Sequence, residues 1–158
     1  LHIFKKESEM YDFEKMDKRY LIFGNIFLLA NRLQTVMDNA KKDLTAKQWL
    51  VLTMLGSFEE PPTLKQLAAM CETSHQNTKE IVNKLEAKGF VNILKDEADK
   101  RAMRILRTSK CEQWSKDNEE YGMNFISEMY DGLSEEEIRI MSEAQIKIFN
   151  NLKKLGGK

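Results

Sequence analysis

The sequence has little of what strand-rich, disordered or membrane-spanning chains need. With 7 Gly and 2 Pro in 158 residues, it lacks the turn residues that strand-rich folds use, so the composition favours helix. Its 42% hydrophobic content is too high for a disordered chain. A chain of this length can bury a core without help from metals or disulfides. We therefore expect one well-packed, mainly helical unit.

Cysteine is scarce, and long apolar runs are missing. Cys71 and Cys111 form no C-x-x-C pair and cannot make a disulfide framework, so we expect a reducing compartment and a cytoplasmic protein. The longest nearly apolar stretch, 20–30, is broken by Gly24 and Asn25. It is shorter than the roughly 20 residues of a membrane span. We expect no membrane partner.

Histidine is equally scarce, which counts against catalysis. His2 and His75 are the only two histidines. The sequence therefore offers too few histidines to support a Ser-His-Asp or Cys-His catalytic site or a histidine-rich metal site. The sequence contains neither G-x-x-x-x-G-K-[ST] nor G-x-G-x-x-G. The acidic run 135–137 opens a helix, where carboxylates complement the helix dipole. We expect no enzyme, no metal and no cofactor.

The chain also has no net charge, because 25 basic side chains balance 25 acidic ones. Local charge must therefore indicate the partner. Residues 44–110 carry 11 basic and 8 acidic side chains, whereas residues 111–158 carry 6 and 10. The middle of the chain is its basic part.

Helix starts are well marked by capping boxes, in which a hydroxyl and a side chain three residues later satisfy the first free amides. The four pairs are Thr45 with Gln48, Thr63 with Gln66, Ser109 with Glu112, and Ser134 with Glu137. Gly89 and Gly132 suit the left-handed position at which a helix ends.

Both terminal segments predict long helices with apolar stripes, at about 13–39 and 135–155. The candidate dimerisation residues are Ile22, Ile26, Leu29, Leu33, Ile148, Leu152 and Leu155. Such stripes can pack on each other within one chain or against a partner. We favour a second copy of the chain, because the stripes offer more apolar surface than the central segment needs as cover.

The central segment predicts a short helix, a tight turn at Glu72 and Thr73, and a second helix with a polar first turn. This arrangement places hydrogen-bonding groups on base edges in a DNA major groove. The candidate recognition residues are Ser74, His75, Gln76, Asn77 and Lys79. Each could also be a cap or a solvated surface residue, and only the order of the elements favours DNA.

A hairpin rich in cations follows, with strands at 90–94 and 101–108. It can supply phosphate or minor-groove contacts. The candidate wing residues are Lys95, Asp99, Lys100, Arg101 and Arg104. The predicted fold is therefore mainly α with a small β-hairpin wing: a winged helix-turn-helix (44–110) flanked by an N-terminal (1–43) and C-terminal (111–158) dimerisation helices, intertwined in a dimer.

Three stretches resemble the MarR family of bacterial transcriptional regulators: LEAKGFV at 85–91, DEADKR at 96–101 and GLSEEEIRIM at 132–141. They are similar to the family's helix-to-wing junction, its wing tip and the start of its closing helix. The resemblance implies a homodimer in which Arg101 enters the minor groove and Asp99 orients it. The sequence departs from the family at Glu72, where Gly is frequent, and at Glu80, where a cation is frequent, so base preference is not transferable.

We expect a homodimeric regulator that binds double-stranded DNA, a repressor released from a pseudo-palindromic operator by a small ligand. Methionines and aromatics on the dimerising helices can line a site for an aromatic or amphipathic ligand, or fill a core. The alternative is a winged-helix protein-interaction module that never binds DNA, which the neutral charge and Glu80 favour.

The two cysteines have different expectations. Cys71 lies on the apolar face of its short helix and is expected to be a buried hydrophobe. Cys111 is predicted in the first turn of a helix beside Lys110, where a thiolate can be stabilised. Cys111 is therefore the candidate redox thiol.

Overall fold

The structure is a computed structural model that describes residues 16–40, 43–96, 99 and 102–156. Seven helices and two strands lie within these residues. Their bounds are α1 Lys18–Asn39, α2 Ala46–Leu55, α3 Leu64–Met70, α4 His75–Ala87, β1 Val91–Lys95, β2 Met103–Arg107, α5 Ser109–Asp117, α6 Glu119–Met129 and α7 Glu135–Leu155. The predicted mainly helical fold with a small hairpin is confirmed. The chain divides into two compact units, Leu1–Glu112 and Gln113–Lys158, and the boundary falls within α5.

Three of the four predicted capping boxes are present. Thr45, Thr63 and Ser134 each accept a hydrogen bond from the amide three residues later, and the side chain of that residue bonds back to the cap amide. The fourth prediction is wrong, because Ser109 is already the first residue of α5. Thr108 takes its place: its hydroxyl accepts from the Cys111 amide at 3.2 Å and donates to the Gly89 carbonyl at 2.7 Å.

The first helix is shorter than predicted at its start. It begins at Lys18, with Asp17 as the cap that accepts from the Arg19 amide at 2.9 Å. The predicted residues 13–15 lie outside the described residues, and the predicted end at Asn39 is confirmed.

The core of the first unit is formed by α2, α3, α4 and the hairpin. Val51 and Leu55 of α2, Leu67 of α3, and Val82 and Leu85 of α4 are all buried. Phe90 and Ile105 of the hairpin region close this core, each only 1% exposed. The two strands pair antiparallel, with Ile93 opposite Ile105. The helix-turn-helix and the wing therefore share one hydrophobic core.

The junction from α4 to the wing is a Schellman motif around Gly89. The Gly89 φ angle is +77°, its amide donates to the Glu86 carbonyl at 2.8 Å, and the Phe90 amide donates to the Leu85 carbonyl at 2.9 Å. This confirms the predicted left-handed helix end. The motif delivers Phe90 into the core directly after the helix stops.

The predicted stripes on α1 and α7 are largely uncovered within the single chain. Ile22, Leu29 and Leu152 are more than half exposed, and Leu155 is 83% exposed. No residue of α1, α6 or α7 is buried. These helices thus present apolar surface that one chain leaves in water.

The turn between α3 and α4 contains a strained residue. Glu72 has a φ of +49°, and it is the one non-glycine residue with positive φ among those that the structure describes. The left-handed conformation costs an L-residue roughly 1–2 kcal/mol. The departure from glycine at this position therefore lowers the stability of the helix-turn-helix.

We expect Glu72→Gly to raise the free energy of unfolding by about 0.5–1 kcal/mol, since part of the relieved strain is offset by the greater freedom of glycine in the unfolded chain. Urea unfolding at fixed protein concentration measures the change. Glu80→Gly, in the helical interior of α4, is the matched control and should lower stability by about 1 kcal/mol. A Glu72→Gly protein no more stable than the wild type would contradict the strain argument.

Candidate nucleic-acid interface

The first turn of α4 is fixed from the inside. The Ser74 hydroxyl caps the helix by accepting from the Asn77 amide at 3.1 Å, and the buried Thr78 hydroxyl donates to the Ser74 carbonyl at 3.1 Å. Thr78 and, further along, Val82 and Leu85 hold one face of α4 against the core. These contacts therefore fix which face of α4 lies against the core and which face points away from it.

The opposite face of α4 is open. His75, Gln76, Asn77 and Lys79, which the sequence predicts as recognition residues, are all exposed. The structure thus brings these four side chains together at one helix end, with Ser74 as the cap beneath them. Amides and an imidazole on such a face have the donors and acceptors that base edges require.

Glu80 is a partner of Gln76. The Gln76 side-chain nitrogen donates to a Glu80 carboxylate oxygen at 3.2 Å, one helical turn away. This bond orients the Gln76 amide, so that its oxygen and its second N–H remain for other contacts. The sequence marks Glu80 only as a departure from a family pattern. The i, i+4 spacing with Gln76 was the signal that could have found this role.

The candidate wing residues other than Arg104 differ in what the structure describes of them. Lys95 ends β1 and is exposed, while Lys100 and Arg101 lie outside the described residues. Asp99 is described and exposed; its amide donates to the Asp96 carboxylate at 2.8 Å and its carbonyl accepts from the Ala102 amide at 2.8 Å. Both the amide and the carbonyl of Asp99 are therefore hydrogen-bonded.

Arg104 is held by the protein itself. Its guanidinium forms an ion pair with the buried carboxylate of Asp96, and it donates to the Pro61 carbonyl at 2.8 Å. Sequence reasoning included Asp96 only as part of a motif. Sequence spacing alone does not predict this ion pair, because the pair depends on the strand register. That register places Leu94 opposite Arg104, so Asp96, two residues after Leu94, lies diagonally across from Arg104.

Two lysines of the basic middle segment also bond internally. The Lys88 ammonium donates to the Asp43 carbonyl at 2.6 Å and to the Gln48 side-chain oxygen at 2.8 Å. The Lys110 ammonium donates to the Lys88 carbonyl at 2.7 Å and lies 5.0 Å from the Phe90 ring centroid. Part of the positive surplus of residues 44–110 therefore stabilises the fold.

The arrangement of α3, α4 and the hairpin matches a known family. The MarR family model matches residues 42–102 of the chain. The resemblance carried by LEAKGFV and DEADKR is thereby confirmed, and no curated protein matches the chain.

Solved MarR structures extend the likeness beyond that segment. The MarR protein from Peptoclostridium difficile is 20% identical, with a TM-score of 0.80, over 93% of this chain and 95% of that one. An organohalide-sensing transcriptional regulator in its 2,4-dichlorophenol-bound form is 20% identical, with a TM-score of 0.77, over 94% and 88%. FabT from Streptococcus pneumoniae, in complex with DNA, is 21% identical, with a TM-score of 0.64, over 88% and 99%. At such identities the likeness shows the fold.

The second unit contains a groove between α6 and α7, outside the MarR segment. Its volume is about 630 Å³, and its apolar lining includes Ile126, Tyr130, Leu133, Ile138 and Met141. Tyr130 is the aromatic residue of this lining. No helix within the described residues has the length and apolarity to cross a membrane.

The cysteines differ from their expectations. Cys111 is the buried one, at 2% exposure, and Cys71 is only half-buried. Burial raises the pKa of the Cys111 thiol; the nearby Arg107 charge lowers it less, and Glu112 adds to the increase. Burial also raises the pKa of Cys71. Both thiols are therefore held in the protonated form, which disfavours the redox interpretation of Cys111.

We expect iodoacetamide to modify Cys71 slowly in the native protein and to modify Cys111 only after unfolding in denaturant. Since each pKa is raised, the alkylation rate of Cys71 should still increase with pH above the usual pKa of a free thiol. Mass spectrometry of Cys71→Ser and Cys111→Ser proteins separates the two sites. Rapid modification of native Cys111 at neutral pH would restore the redox interpretation.

Proposed function

We propose that this chain is a homodimeric, DNA-binding transcriptional regulator of the MarR type. The observation that carries the proposal is the two-sided character of α4: Thr78, Val82 and Leu85 fix its inner face, while His75, Gln76, Asn77 and Lys79 are exposed together on its outer face. The match of residues 42–102 to the MarR family and the DNA complex of FabT support it.

Each exposed residue of α4 has a role that follows from its chemistry. Gln76 and Asn77 can pair bidentately with adenine in the major groove. Lys79 and His75 contact phosphates, near the positive end of the helix dipole, and Ser74 holds the helix start. In the wing, Lys95 and Lys100 add phosphate contacts, and Arg101, oriented by Asp99, reaches the minor groove.

The dimer supplies the second half-site. The surfaces that a second copy covers are the stripes of α1 (Ile22, Ile26, Leu29, Leu33) and α7 (Ile148, Leu152, Leu155). Leu33 and Ile148 are half-buried, and the other five are exposed. A two-fold dimer presents two recognition helices to half-sites about 34–36 Å apart, which is why the operator is pseudo-palindromic. Residues 1–43 and 111–158 thus serve dimerisation, and residues 44–110 serve DNA.

A repressor needs a release mechanism, and the groove between α6 and α7 suits a small apolar ligand. Its lining combines aliphatic side chains with the phenol of Tyr130. One structural relative carries 2,4-dichlorophenol. A ligand lowers DNA affinity only to the extent that it binds the DNA-free conformation more tightly than the DNA-bound one.

The protein-interaction module remains the second candidate. Glu80 on the outer face of α4 and the zero net charge favour it. The two functions differ in one measurement, because an interaction module binds no duplex even at low salt, where phosphate contacts are strongest.

We expect sedimentation to give twice the mass of one chain at micromolar concentration. Leu29→Glu places a charge in the α1 stripe and should shift the protein towards monomer, since a buried unpaired carboxylate is costly. Asn31→Glu, half a helical turn away on α1, is the matched control and should stay dimeric. A wild type that stays monomeric at tens of micromolar would refute the dimer.

We expect selection from random duplexes to yield a pseudo-palindromic motif with wild-type protein. Gln76→Ala and Asn77→Ala should each relax base preference at one position per half-site, at about 1–3 kcal/mol per lost bidentate contact. Lys79→Ala is the control, and it should weaken binding to all sequences alike because a phosphate contact carries no sequence information.

An unchanged motif in both alanine variants would remove Gln76 and Asn77 from base recognition. Failure of the wild type to bind any duplex at low salt would favour the interaction module.

A further inference from the structure

The carboxylate of Asp96 lies at the base of the wing and is nearly inaccessible to water. The residue is 7% exposed, and it directly follows β1. One carboxylate oxygen accepts from the Asp99 amide at 2.8 Å, and the other accepts from the Arg104 guanidinium. The Asp96 amide donates to the Ala102 carbonyl at 3.0 Å. A buried charge with this many partners is expensive to leave unpaired.

Arg104 extends this network from the hairpin into the helix-turn-helix. Its guanidinium donates to the Pro61 carbonyl at 2.8 Å, and its backbone forms an antiparallel bridge with Thr63. The neighbouring Ile105 amide donates to the Pro62 carbonyl at 3.0 Å. Thr63 is also the cap of α3. The same three loop residues thus join β2 to the start of α3.

We infer that Asp96 and Arg104 are positioning residues, which set the wing at a fixed place relative to the recognition helix, and that Arg104 does not itself neutralise a phosphate. This inference rests on the proposed DNA binding and deepens it. Sequence reasoning grouped Arg104 with the wing cations that touch DNA. The geometry separates it from them, because Nε faces Asp96 and Nη1 faces Pro61.

The benefit to DNA binding is preorganisation. A hairpin that moved freely about its base would have to be ordered on the duplex, and that ordering would weaken the complex. With the Asp96–Arg104 ion pair in place, the wing and α4 approach the DNA as one body. The pair therefore affects affinity through geometry, not through its charge.

Charge and geometry predict opposite results for one substitution. Asp96→Asn removes a negative charge from the DNA-binding unit, so electrostatics alone would strengthen binding to the phosphates. It also leaves one acceptor oxygen for two donors, the Asp99 amide and the Arg104 guanidinium, so loss of positioning would weaken binding. We expect about a tenfold loss of affinity, the size typical of coupled neighbouring residues.

Arg104→Lys makes the complementary test, since it keeps the positive charge. Lysine binds phosphate well as a point charge, but it cannot hold Asp96 and Pro61 in the planar geometry of a guanidinium. We expect Arg104→Lys to lose about tenfold in affinity with the slope of log K against log salt unchanged. Lys95→Gln is the control, and it should lower the magnitude of that slope by up to about 2 in a dimer.

The experiment titrates a selected duplex with full-length dimer at several salt concentrations, and a stoichiometric titration gives the active fraction. A variant that merely unfolds loses active fraction while the Kd of the folded remainder is unchanged, so the two effects separate. Combining Asp96→Asn with Arg104→Lys should cost little more than either change alone, because both break one interaction.

Three results overturn the inference while leaving the proposed function intact: Arg104→Lys binding like the wild type, Asp96→Asn binding more tightly, or additive losses in the double variant. Failure of the wild type to bind any duplex overturns the proposed function and this inference with it.

Discussion

The first unit depends on the burial of one face of α4. Thr78, Val82 and Leu85 are at most 1% exposed, and each contacts the core that α2, α3 and the hairpin share. Burial of each apolar side chain stabilises the fold by roughly 1.5–3 kcal/mol. Because that face is committed to the core, the opposite face of the same helix must be solvent-exposed. The position of the candidate recognition side chains is thus a consequence of the core.

Internal bonds of the cations reduce the charge that the first unit can offer to DNA. Lys88, Lys110 and Arg104 donate to carbonyls or to a carboxylate within the unit. Fewer cations therefore remain for phosphate contacts than the composition of residues 44–110 suggests. In the proposed DNA complex, hydrogen bonds from α4 therefore carry a large share of the affinity, and the salt dependence of binding should be modest.

Features determined by neighbouring residues could be predicted from the sequence, and features determined by tertiary contacts could not. The caps at Thr45, Thr63 and Ser134 and the helix end at Gly89 depend on a few consecutive residues, and all four are present. Ser109 failed as a cap because Thr108 also bonds to Gly89, nineteen residues away in sequence.

In the candidate site, too, local features could be predicted from the sequence and tertiary contacts could not. The exposure of Gln76 and Asn77 follows from the helical period of α4, since the apolar positions of that helix determine which residues face outwards. The engagement of Arg104 by Asp96 and Pro61, and the burial of Cys111, depend on how β2 and α5 meet other elements. A residue type in a sequence shows which bonds are possible, and only the packing decides which bond forms.

The terminal helices place a further constraint on the molecule. α1 and α7 are 22 and 21 residues long, and neither has a buried residue within the chain. In proteins, most helical stability comes from packing of an apolar face, so helices that leave such a face in water are only marginally stable. In the proposed dimer, folding of these segments is coupled to association, and the stability of the protein depends on its concentration.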